Sequence, residues 1–271
     1  MNVYSKAAAC PVCEATSAFI IDHPDAAMYY CSQCTHRFSK VRVAEEYDAS
    51  YFDDRHKRWF QHPNVRVFEK IAAALPKEGQ LLDLGCGRGD LLRYLKRRTL
   101  STLSLTGIDV APNALDWDIT FIQGDLETHY FEHQYDVVVS LAVIEHLRDV
   151  RAFIKHVSAL TRGGGTIVIS TVNDRSLLFR LARGLNLIGL SSAFNRLYSK
   201  HHLNHFTTHS LRLLLESANI RVKETIVHNA PFAAIDVPAP EFLFRAAMLG
   251  ICAAGSLTGT SYLQTVIGEK L

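Results

Sequence analysis

Three groups of residues in this chain have the types and spacing for chemistry. Cys10, Cys13, Cys31 and Cys34 form C-x2-C-x17-C-x2-C. Four thiolates on two tight knuckles close a tetrahedral metal site with no open position, the pattern of a structural zinc ribbon; iron fits the same sulfur set. The run LLDLGCGRGD at 81–90 puts Asp83 two residues ahead of Gly85, with Gly87 and Gly89 following at alternate positions. Such glycines let a ligand lie on bare backbone, and the start of the next helix turns unpaired N–H groups toward it. A pyrophosphate site needs G-x-G-x-x-G. Here the spacing differs and Asp83 disfavours an anion, whereas a zwitterion with cationic ammonium and sulfonium groups suits it. Asp109 is placed to accept from two ribose hydroxyls, and Asp125, in FIQGDLE, from an exocyclic amine. The third group is Glu145–His146 in SLAVIEHL together with His201, His202 and His205 in KHHLNHFT. These side chains have the protonation range for acid–base work.

Positioning these groups requires a doubly wound α/β sheet, with the reactive residues at the carboxyl ends of its strands. Apolar runs predict strands at 80–84, 104–109, 120–123, 135–141, 166–171, 220–228 and 261–268. Amphipathic patterns predict helices at 64–75, 90–97, 149–161, 174–190 and 210–218, with Gly163–Gly165 just beyond the third of these. The segment 241–257, EFLFRAAMLGICAAGSL, reads as an apolar helical insertion between the last two strands. It is too short to span a bilayer. The first reading is a helix that covers the soluble domain; the second is a lid, or a surface that touches a membrane or a lipid-linked substrate.

The motifs LLDLGCGRGD, GIDV, FIQGDL, YDVVVSLAVIEHL and GGGTIVIST occur in the order and spacing of the class I S-adenosylmethionine-dependent methyltransferases, and the chain resembles that family over about 65–271. The resemblance implies a Rossmann-like doubly wound sheet with an antiparallel last strand. It implies S-adenosylmethionine held by Asp83, Gly85, Cys86, Gly87, Asp109, Val110, Asp125, Leu126 and Leu141. His146, after the fourth strand, and His202, in an H-x-x-x-F-T pattern with Phe206 and Thr207, fall on the substrate side as candidate catalytic residues. A cysteine ribbon, a tyrosine-rich linker and a methyltransferase domain together look like a group that serves sugar, glycan and secondary-metabolite pathways. The implied activity is methyl transfer to a small molecule, at an oxygen of a sugar, phenolic or lipid-linked acceptor. Competing readings are an RNA base methyltransferase and a non-catalytic module that binds the same cofactor.

The chain has 271 residues, 48% hydrophobic, with a formal charge of +2. That length holds one large domain and an appendage. The expected organisation is a zinc ribbon at 1–40, a linker at 41–63 whose Tyr47, Tyr51, Phe52, Trp59 and Phe60 pin it to the core or line the substrate pocket, and the catalytic domain at 64–271. Near-neutral charge argues against a nucleic-acid partner, as does SLAVIEHL where amino-group methylases carry N-P-P-aromatic. Six cysteines in this arrangement do not resemble a secreted disulfide scaffold, and the N-terminal run lacks the pattern of a secretion signal. The expectation is a cytoplasmic protein, with peripheral membrane contact as the alternative. The oligomeric state is open.

Overall fold

The computed structural model describes residues 6–23, 26–41, 57–98, 102–112, 115, 118–198, 201–235 and 241–271. Tyr47, Tyr51 and Phe52, and the side chain of Phe60, lie outside these. Four short strands come first: β1 (Ala7–Ala9), β2 (Thr16–His23), β3 (Ala26–Tyr30) and β4 (Arg37–Val41). They form an antiparallel meander. Helices α1 (Lys57–Gln61) and α2 (Val65–Ala74) follow, and then the alternation begins: β5 (Glu78–Leu84), α3 (Asp90–Arg97), β6 (Thr102–Asp109), β7 (Thr120–Gln123), β8 (Tyr135–Leu141), α4 (Val150–Leu160) and β9 (Thr161–Val172). The chain continues through α5 (Leu177–Leu187), α6 (Ser192–Leu197), β10 (Asn204–His205), α7 (Thr208–Glu216), β11 (Ile220–His228), α8 (Glu241–Leu257) and β12 (Leu263–Lys270).

The large sheet has seven strands in the order β11-β12-β9-β8-β5-β6-β7. Only β12 runs against the others. Val137, Val138 and Val139 of β8 have no exposure, because helices cover both faces of this central strand. On α3, Leu91, Leu92 and Leu95 form the buried face. Asp149 caps α4 by accepting from the Ala152 amide at 2.9 Å. Strand β9 starts earlier than the sequence suggests, for a local reason. Thr161 pairs with Tyr135 and Thr166 with Val137, so Gly163–Gly165 form a bulge inside the strand and not a loop before it.

The ribbon strands do not stand alone. β4 pairs with β10, giving a five-stranded sheet that draws on the C-terminal half of the chain. His36 Nε2 lies 3.2 Å from Asn204 Oδ1, Thr35 and Thr207 hydroxyls are 2.8 Å apart, and Arg151 donates to the Val12 carbonyl at 2.8 Å. Asp174 is fully buried and bound by Arg37 of β4, by Arg183 at 2.9 Å and by the Tyr198 hydroxyl. A carboxylate with two guanidinium partners and a phenol is satisfied where a lone buried charge would be expelled.

Candidate active site

The turn after β5 is fixed by its glycines. Gly85, Gly87 and Gly89 all have positive φ, at 76°, 52° and 72°. A Cβ on Gly85 would stand 2.4 Å from Val143 Cγ2. The Gly85 and Cys86 amides donate to the Ile108 carbonyl at 2.9 and 3.0 Å, tying the turn to β6. Asp109, at the end of β6, accepts from Gly87 N at 2.8 Å and from Ala111 N at 3.0 Å. Each oxygen thus has one backbone donor and room for another.

Asp83 is the electrostatic centre of the site. It is 3% exposed, and its Oδ1 is buried with no hydrogen-bond partner. Burial, and secondarily the negative charge of Asp109, raise its carboxyl from 3.8 to about 7. Asp83 opens into a cavity lined by Gly85, Cys86, Gly87, Leu141 and Thr171 on the sheet side, with Trp59 and Asn64 opposite. A buried acid lacking a partner, next to bare backbone, fits a ligand that brings a cationic donor.

The remaining expected cofactor residues are distributed around the turn. Val110 is 47% exposed beyond β6, and Leu126 is buried beneath the turn. Asp125 is exposed, and its Oδ1 accepts from the Glu127 amide at 2.8 Å. Val110, Leu126 and Asp125 are not among the cavity-lining residues, whereas Asp83, Gly85, Cys86, Gly87 and Leu141 are. Burial, with the charges of Asp83 and Asp109, pushes the Cys86 thiol up, which keeps it a neutral filler.

His146 and His202 come together although 56 positions separate their places in the chain. Their rings meet edge to face at 4.8 Å. Glu145, His146 and His202 have ligating atoms within 4.8 Å of one another. The His146 Nδ1–H donates to the His201 carbonyl at 2.7 Å, which leaves the basic lone pair on Nε2. Glu145 is buried and accepts from the Thr171 hydroxyl at 2.7 Å. Burial lifts its carboxyl to about 7. His205 is wholly buried, and burial first of all lowers it to about 3, so it stays neutral. Phe206 is core, and Thr207 caps α7 in a reciprocal bond with Ser210.

Several cavity residues escaped the sequence reading. Asn64 caps no helix amide; its side chain donates to the Asn229 carbonyl at 3.0 Å and faces His228 Nδ1 at 3.3 Å. His228 Nε2 then donates to Thr265 Oγ1 at 2.9 Å, and burial keeps the ring neutral, at about 4. One signal was available: β11 is two antiparallel steps from β9 and therefore parallel to it, so a histidine ending β11 lies on the ligand edge.

The four ribbon cysteines also converge. Cys10 and Cys34 sulfurs are 3.5 Å apart, as are those of Cys13 and Cys31, and all four lie within 4.8 Å. A tetrahedron with Zn–S of about 2.3 Å spaces its sulfurs about 3.8 Å apart, so the set fits a four-coordinate metal. A hydrogen bond from Cys34 holds the Cys10 thiol below its ordinary range.

Residues 52–225 match the family model of the methyltransferase domain. The mitochondrial ubiquinone biosynthesis O-methyltransferase of Dictyostelium discoideum is 30% identical over 166 residues, covering 53% of this chain and 48% of that protein. The ubiquinone biosynthesis O-methyltransferase of Bradyrhizobium diazoefficiens is 28% identical over 180 residues, covering 62% of this chain and 70% of that protein. The chain spans about half the length of the curated relatives it matches, from 31% to 70%. A solved structure, the Burkholderia thailandensis 1,6-didemethyltoxoflavin-N1-methyltransferase with bound S-adenosylhomocysteine, shares the fold with a TM-score of 0.56 at 15% identity, covering 89% of this chain and 98% of that one. With more than half of its length in the family model and the seven-stranded order in place, the chain belongs to the class I S-adenosylmethionine-dependent methyltransferases.

Proposed function

We propose that this chain transfers a methyl group from S-adenosylmethionine to an oxygen of a small, flat, largely apolar acceptor of the phenolic class. The observation that carries the cofactor assignment is the buried, unpartnered oxygen of Asp83 beside the Gly85–Gly87 backbone. In this reading Asp83 receives the ammonium group and Asp109 the ribose hydroxyls, with Val110, Asp125 and Leu126 bordering the adenine. The cofactor supplies a methyl group already activated by the sulfonium charge, so the protein has to align an acceptor, exclude water and manage one proton. Trp59, Phe68, Pro63, Pro231 and Leu263 give the acceptor side of the cavity apolar walls. The O-methyltransferase relatives support oxygen as the methylated atom.

Neither His146 nor His202 is among the cavity-lining residues, but Thr171 is and donates to Glu145 beside them; in this reading proton removal falls to the His146–His202 pair. The His201 carbonyl fixes the His146 tautomer, and the adjacent Glu145, near 7, balances an imidazolium when ionised. The ribbon, loaded with zinc at Cys10, Cys13, Cys31 and Cys34, has a positioning task. Its last strand, β4, pairs with β10, two residues beyond His202. The test uses methyl-labelled cofactor with a panel of phenols, sugars and RNA. Label should appear on phenolic oxygen, and His146→Ala and His202→Ala should each lower kcat about 10²–10⁴-fold with unchanged affinity for S-adenosylhomocysteine. Binding of the cofactor with no acceptor labelled would sink the enzymatic reading in favour of a binding module.

A further inference from the structure

Helices α5 and α8 pack on each other outside the sheet and present an apolar surface to solvent. Leu187 is 86% exposed, Ile188 71%, Phe242 81% and Leu257 89%, with Leu190 and Leu243 also exposed. An apolar surface of this kind, carried on two adjoining helices, marks an interaction site more often than a scatter of single residues does. Its charge is one-sided. Residues 175–198 contain Arg175, Arg180, Arg183 and Arg196 and no Asp or Glu. Arg183 is committed to Asp174, while Arg175 and Arg180 are exposed. Helix α8 adds one acid, Glu241, and one base, Arg245. Among the described residues no helix is long and apolar enough to cross a membrane.

We infer that the α5–α8 face docks on an anionic lipid bilayer, its leucines and phenylalanines entering the headgroup boundary while the arginines meet lipid phosphates. Apolar side chains flanked on α5 by arginine without acid are the complement of that surface, and such a face binds by area plus charge. A second copy of the chain would set arginine against arginine. The face also adjoins the cavity. The Asn229 side chain donates to the Cys252 carbonyl and faces the Ser256 hydroxyl, both at 3.0 Å, and the Arg245 guanidinium sits 5.4 Å over the Phe232 ring. Residues 229–232 include Pro231 of the cavity wall, so docking brings the acceptor side close to the bilayer. The inference does not depend on which acceptor is methylated.

The test is flotation of the full, metal-loaded chain with vesicles of phosphatidylcholine alone or mixed with phosphatidylglycerol. Binding should require phosphatidylglycerol and weaken with salt. Arg180→Glu should weaken it about fivefold or more, and Leu187→Ser/Ile188→Ser or Phe242→Ser/Leu243→Ser by at least about tenfold. Unchanged affinity for S-adenosylhomocysteine in each variant shows that the fold is retained. No binding to phosphatidylglycerol vesicles overturns the inference. So does binding indifferent to these substitutions, or a wild-type dimer that the same substitutions dissociate.

Discussion

Asp83 sets stability against binding, and Asp83→Asn separates the two. A carboxyl held at about 7 instead of 3.8 binds its proton more tightly folded than unfolded. Stability therefore falls as pH rises between about 4 and about 7 and stays low above that range, by roughly 4 kcal/mol at ~1.4 kcal/mol per pH unit. Asparagine removes the buried charge. Its amide, in a place where Oδ1 finds no donor, costs about 1–3 kcal/mol. The net gain is about 1–3 kcal/mol at pH 8, or a rise in Tm of roughly 2–10 °C for a chain this long; near pH 4 only the cost of the amide is left, and the variant is the less stable of the two. Glu145 shifts in the same direction but is common to both proteins and cancels in the comparison. Binding moves the other way. Losing a charge-assisted partner for the ammonium should weaken S-adenosylhomocysteine about 10–100-fold. Wild-type affinity should climb as pH rises through about 7, where Asp83 ionises, and the variant should lose that dependence. Urea denaturation at pH 5 and 8, with calorimetry on S-adenosylhomocysteine at both, reads all of this. A variant less stable than wild type at pH 8, or one with unaltered affinity, would refute the assignment.

Asp109→Ala should weaken S-adenosylhomocysteine by about 1–3 kcal/mol and loosen the turn, because the same carboxylate holds Gly87 N and Ala111 N; unchanged calorimetry counts against it. Elemental analysis should find one zinc per chain, absent from Cys31→Ser/Cys34→Ser, with a lowered Tm because the ribbon sheet includes β10. A well-folded, metal-free wild type contradicts this. Gly107→Ala should destabilise by about 1–3 kcal/mol, since its Cβ would lie 2.7 Å from Cys86 Sγ and 2.8 Å from Leu92 Cδ1. Adding Cys86→Gly should restore part of that in urea denaturation, and no rescue would mean that Cys86 is not the obstacle.

What the sequence exposed and what it concealed divide along physical lines. Strands β7, β8 and β11 were legible within a residue or two because each is bounded by a local change in apolar period, and the Gly85–Gly89 turn because positive φ leaves few alternatives to glycine. The ribbon's cysteines were legible because metal geometry dictates their spacing. Contacts between distant segments leave no such local mark. Asp174 reads as the start of a helix, yet it is the buried anion that joins β4 to α5 through Arg37 and Arg183. Strand β10 is two residues long and exists only because β4 lies beside it. Asp125 and Asp83 look alike in sequence, each an acid at a strand's carboxyl end, and the fold separates them completely. Asp125 is exposed and caps a turn, while Asp83 is buried with an oxygen that no protein donor reaches. That difference follows from position in the sheet. β5 sits between two parallel neighbours, β8 and β6, whereas β7 is the edge strand, so of these two acids Asp83 is the one flanked on both sides. On the proposed assignment a bound cation relieves this destabilised carboxylate, and an inner strand of such a sheet is where strong electrostatic selection for the ligand can arise.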